Sequence, residues 1–213
     1  MYFDFSALPA QTQYNLLTAT VTPRPIAWVT TRSADGVVNA APYSFFNVMG
    51  HQPPTVALGM MRHARGSLKD TAANILENGE FVVNLVPESL VTQMNQTCAD
   101  YPSAVNELEQ AGLKSLPARH VRPPLIQGCP VSLECVSIAS VITGPHQTVV
   151  IGRVLAAHID DAVVLDPSQG FVDAPKLGLI SRMHGGGWYA RSTDLFQLAR
   201  PLDAALKPEM TTE

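Results

Sequence analysis

A chain of 213 residues, 46% apolar and only 15% charged, can bury a substantial single-domain core without metal or disulfide staples. Its charge content lies well below the roughly 25% of an average soluble domain, so some surface is expected to lie against another subunit. A net charge of −4 excludes wholesale neutralisation of nucleic-acid phosphates, the opening MYFDFSALPA lacks the regions of a signal peptide, and three cysteines leave an odd thiol, which together point to a reducing, cytoplasmic setting.

In chain order, a short helix is expected around QYNLLTA, after which Pro23 and Pro25 straighten the backbone. IAWVTTR is rich in β-branched and aromatic residues and reads as a strand; SADG turns it into VVNAAPYSFF, where Pro42 implies an edge or a bulge, and PTVALGMM makes a third strand. GSLKDTAANILENGEF carries helix signals, with Ser67 as N-cap, Asp70 three residues on, one-face apolar spacing at Leu68, Ala72, Ile75 and Leu76, and Gly79 as the stop. EFVVNLVP returns as a strand. Two short helical patterns, Ser89 to Cys98 and Ser103 to Leu113, form a helical insertion near 88–115.

From Leu125 the pattern is β again. VSLECVSIASVIT, a turn at GPHQ and TVVIGRVLAAHI predict a long hairpin, which AVVLD is expected to extend. Gly36 to Met61 and Cys135 to Gly152 lack Asp, Glu, Lys and Arg, yet each is interrupted by Pro, Gly, Asn or Gln, so they read as strands and turns rather than membrane spans. Strands without regular strand–helix alternation predict one mainly β domain over 1–213, an antiparallel barrel with helices around it.

Three motifs carry chemistry. HGGGW at His184 to Trp188 spells an esterase oxyanion-hole string, but no Gly-x-Ser-x-Gly elbow occurs anywhere and only Ser192 follows, so a serine esterase is a remote reading. Arg62, His63, Arg65 and Lys69 concentrate positive charge at a helix start, where Gly66, Ser67, Lys69 and Thr71 could together hold a phosphate; a solvated loop with an ordinary cap is the competing reading. Thr30, Thr31, Ser44 and Asn47 stand among Trp28, Tyr43, Phe45 and Phe46, a mixture suited to a flat heterocycle or to plain core packing. The six histidines and three cysteines show no metal-ligand spacing, so no metal is assigned.

VTPRPIAWVTTRSADGVVNAAPYSFFN, PPTVALGM, LKDTAANILENGEFVVNLV, PVSLEC, VVIGRV and KLGLISRMHGGGWYAR, in that order over about residues 14 to 191, resemble the flavin reductase-like family of FMN-binding split barrels, flavoprotein-oxygenase branch. The resemblance implies a six-stranded antiparallel split barrel of Greek-key type, a homodimer, and FMN in a groove between subunits. It places Thr30 and Thr31 beside the flavin, Ser44 and Asn47 against its ring and ribityl chain, and Lys69 and Thr71 at its phosphate; Arg65 is added on charge alone. It also implies NAD(P)H as electron donor, a small-molecule acceptor, and a possible partner oxygenase. No residue is assigned a catalytic role, Arg182 and His184 being weak candidates near the flavin. Where the family commonly has Arg-Leu-Gly-Gly, this chain has Arg182-Met183-His184-Gly185, which alters the C-terminal loop. A flavin-binding carrier or sensor without turnover is the alternative within the same resemblance.

Overall fold

The computed structural model describes residues 1–63 and 66–199. Seven antiparallel strands form the main sheet: β1 (Ala27–Arg32), β2 (Val38–Tyr43), β3 (Phe46–His51), β4 (Pro54–Met61), β5 (Glu80–Leu85), β6 (Val131–Gly144) and β7 (Gln147–Ile159). Their spatial order is β2-β1-β5-β6-β7-β4-β3. The two edge strands, β2 and β3, are therefore consecutive in the chain, linked by Ser44 and Phe45 alone. A sheet whose edges are joined by two residues must curl until those edges meet, and the fold is a barrel with a seam at Tyr43–Phe46. The Gly59 amide donating to the Phe45 carbonyl at 2.7 Å ties that seam to β4. The strand count is one above the six expected, because the apparent single run VVNAAPYSFF breaks at Ser44 into two strands that pair at opposite ends of the sheet.

Strand periodicity explains the core. On β1, Ala27 and Val29 point into the barrel and pack with Phe81, Val83, Leu58, Met60 and Val150, whereas Trp28 faces outward under helices. There Trp28 meets Met94 of α3 (Val91–Gln96) and donates its indole N–H to Thr97 at 3.0 Å. Both faces of β1 are buried, which is why IAWVTTR shows no polar alternation.

Three further helices surround the barrel: α1 (Ala10–Thr20), α2 (Asp70–Asn78) and α4 (Glu107–Gln110). The helix expected to be capped by Ser67 begins two residues later. Ser67 instead closes a tight turn by accepting the His63 amide through its carbonyl, and Lys69 is the N-cap residue. Gly79 ends α2 at φ 74°, as expected of a C-terminal glycine. The 88–115 excursion is helical in short pieces. AVVLD does not extend the long hairpin: Asp160 caps a 3₁₀ turn through the Ala162 amide, and Val164–Asp166 then pairs with Phe171–Val172.

The segment 117–126 is held against the barrel by polar side chains on the strands. Glu134, fully buried on β6, accepts from the consecutive amides of Arg119 (2.9 Å), His120 (2.6 Å) and Val121 (3.2 Å) and contacts His158 Nε2 at 2.5 Å. Asn84 accepts from the Ile126 amide at 3.0 Å, and the Thr30 hydroxyl donates to the Pro124 carbonyl at 2.5 Å.

Candidate functional site

The seam is where the fold opens. Three cavities of about 340, 360 and 210 Å³ meet at Pro42 and Tyr43, the residues that end β2. Tyr43 walls all three, Ser44 lines the second and third, and Lys69 lines the first and third. Local sequence produces this arrangement: Pro42 on an edge strand has no amide to offer a further neighbour, so pairing stops and the chain turns over the barrel end.

The first cavity lies over the start of α2 and takes in His63, Lys69, Thr71, Asn39 and Glu107. Lys69 makes no side-chain cap bond to the first turn of α2, which leaves that turn's amides to a ligand or to water. Its ammonium pairs with Asp100 at 3.0 Å, a contact in which the Asp100 side chain is 74% exposed. A surface pair of this kind contributes only about 0–1 kcal/mol, so a dianionic phosphate can displace it.

Glu107 was not legible as a site residue. It sits in SAVNELEQ, which reads as a solvated helix, yet it is buried, accepts the Ala40 amide, and faces the same cavity. The Asn39 amide bridges it to the flavin-phosphate candidate Thr71, accepting from the Thr71 hydroxyl at 2.8 Å and donating to Glu107 at 3.2 Å. Burial pushes the Glu107 carboxyl up to about 7; the Ala40 amide opposes that shift and Asp70 adds to it. A carboxyl with a raised folded-state value contributes stability fully present below its ordinary value of 4.5 and lost as pH rises through about 7. Glu107→Gln is therefore expected to be more stable than wild type at pH 8 and no more stable at pH 4, and denaturant titrations at both values check it.

Burial likewise pushes the Tyr43 phenol up to about 12, so Tyr43 offers a neutral hydroxyl and a ring face. Arg24, buried beneath the second cavity, donates to the carbonyls of Thr18 (2.7 Å), Val21 (2.6 Å) and Met183 (2.8 Å) and to Ser44 Oγ at 3.4 Å. It fixes the C-terminal strap, the strands Ile180–Arg182 and Tyr189–Arg191, against the seam.

The other expected residues fall elsewhere. The Thr31 hydroxyl is buried and accepts from Asn74 of α2 at 2.9 Å, and Thr30 is engaged by Pro124, so neither hydroxyl lines the three cavities. In sequence, TT at a strand end looks the same whether its hydroxyls face a ligand or anchor neighbouring segments. Asn47 lies exposed on β3, its side chain accepting its neighbour's amide at 2.8 Å. Arg65 lies outside the described residues. Arg182 lines the second cavity, whereas His184 is exposed and stacks near Trp188, ring centroids 5.7 Å apart. Ser192 donates to the Leu179 carbonyl at 3.0 Å, a structural bond. Among the described residues no cluster of metal-ligating side chains occurs, and no helix is long and apolar enough to cross a membrane.

The barrel and seam define a class shared with solved structures. Nitrilotriacetate monooxygenase component B from Bacillus cereus superposes with a TM-score of 0.87 at 33% identity, covering 93% of this chain and 98% of that one. The 2-nitrobenzoate 2-nitroreductase of Pseudomonas fluorescens gives 0.86 at 31% identity over 96% and 100%. An uncharacterized protein of Deinococcus radiodurans is 41% identical over 93% of this chain and 89% of its own. The chain belongs to the family described as the flavin reductase like domain, whose model matches residues 19–171.

Proposed function

We propose that the protein is an FMN-dependent oxidoreductase, reduced by NAD(P)H and passing electrons to free flavin, oxygen or a small organic acceptor. The observation that supports this most is the first cavity: an uncapped start of α2 flanked by Lys69, His63 and Thr71, opening at the seam onto the face of Tyr43. Phosphate suits the helix start, and a ring system suits the seam. Ser44, Lys69 and Thr71 are the residues proposed to hold the cofactor, with Tyr43 and His63 added from the geometry.

When bound, FMN supplies the electron transfer. The chain's part is to anchor the phosphate, keep a neutral ring and hydroxyl at the seam, and hold the strap over the opening through Arg24. The cavities open to solvent, Val48 and Met49 on β3 are 64% and 60% exposed, and Ile138, Val141 and Ile142 on β6 are exposed as well. Exposed apolar side chains on both strands support a homodimer in which the second subunit covers the groove. Nitrilotriacetate monooxygenase component B is by name one component of a monooxygenase, which supports a partner oxygenase for this chain as well.

The test is an FMN titration followed by anaerobic addition of NADH or NADPH, with bleaching of the bound flavin as the expected result. Stable binding without bleaching would make the protein a carrier or sensor. Lys69→Ala is expected to weaken FMN by about 1.5–3 kcal/mol, the range for hydrogen bonds to charged groups. An unchanged titration would remove Lys69 from the site, and a monomer by light scattering that still binds FMN tightly would overturn the shared groove.

A further inference from the structure

The second cavity differs in chemistry from the first. Its walls are Ile26, Pro42, Met94 and the rings of Tyr43 and Tyr189, and among the described residues Arg182 is the one charged group in its lining. The Arg182 guanidinium lies 5.0 Å from the Tyr189 ring centroid, the cation–π geometry that orients its donors without neutralising them. It makes no ion pair with any described residue. Ser44 accepts from Arg24, which leaves its own O–H to donate, and Asn95 adds an amide at the same wall. Cys98, raised by burial, and Tyr43 bring no negative charge to the space.

We propose that this cavity binds a small planar monocarboxylate, aromatic or conjugated, its carboxylate paired with Arg182 and its ring held between Tyr43 and Met94. An arginine fork matches two carboxylate oxygens, and the apolar walls favour a flat hydrocarbon body over a hydrated phosphate. A volume of about 360 Å³ is at the lower end for small-molecule sites and suits one ring with its substituent. The inference rests on the flavin reading in leaving the first and third cavities to the cofactor and in sharing Tyr43 and Ser44 with it.

Calorimetric titration of FMN-loaded protein with benzoate, and with benzamide as the uncharged isostere, tests it. Benzoate is expected to bind one to one, to weaken at least about tenfold in Arg182→Gln, and to be partly restored in Arg182→Lys; benzamide is expected to bind equally in all three. FMN titrations and thermal melts of the variants report whether they fold. Absent benzoate binding in wild type, equal losses for benzoate and benzamide, or stoichiometric displacement of benzoate by FMN would each overturn the site. Failure of FMN uptake with Arg182-dependent benzoate binding intact would sink the flavin reading and leave this one standing.

Discussion

Replacing Glu134 with alanine is expected to destabilise the protein by about 3–5 kcal/mol, the range for removing one partner of a buried, charged hydrogen-bond set. Three successive amides and His158 converge on this carboxylate, whose side chain is fully buried. Burial alone raises a carboxyl, but here the His158 contact and the amide donors outweigh it and hold Glu134 at about 2. The sign of the pH effect follows. With a folded-state value below the ordinary 4.5, the contribution is present above that pH and is lost as pH falls toward about 2. The gap between wild type and Glu134→Ala should therefore be widest near neutrality and narrow at pH 3 in guanidinium titrations. A gap that is small at pH 7 or independent of pH would remove Glu134 as the anchor of segment 117–126. Glu134→Gln keeps an acceptor for part of the set and should fall between the two.

This anchor also marks a limit of the sequence. PVSLEC reads as a strand, and its glutamate reads as a solvent-facing residue of an alternating pattern; nothing in that pattern says that three amides 13 to 15 residues earlier will converge on it. The same holds for Glu107. By contrast, the long hairpin, the helix stop at Gly79 and the edge character of the strand carrying Pro42 were legible, because each depends on a turn residue or a periodicity within a few positions. The placement of Lys69 and Thr71 at a helix start was legible for the same reason, being set by local signals. The partners of the Thr30 and Thr31 hydroxyls were not, since Pro124 and Asn74 are brought near only by the closed barrel. The break at Ser44 that creates the seam was hidden inside an unbroken apolar run, and it shows only in the opposite pairing of its two halves with Ala27 and Leu58.

Gly152→Ala is expected to cost about 3 kcal/mol, lowering the melting temperature by about 6–12 °C in a chain of this size. Gly152 is needed for close approach: a Cβ built there would sit 2.3 Å from Cζ of Phe81, whose ring is completely buried in the barrel. Phe81 cannot retreat, because Val29, Val83 and Cys135 share its cluster. A second change separates this cause from a weakened strand. Phe81→Leu shortens the ring's reach while leaving a small cavity, so the double variant Gly152→Ala/Phe81→Leu should be more stable than the sum of the single losses predicts. Strict additivity would mean that the two residues do not compete for space. The same packing bears on the proposed function, since Phe81 and its cluster fill the barrel interior, which supports the seam as the cofactor's place. Gly152→Ala kept folded at low temperature should accordingly bind FMN with nearly wild-type affinity, and a parallel loss of stability and FMN binding would argue for a site inside the barrel.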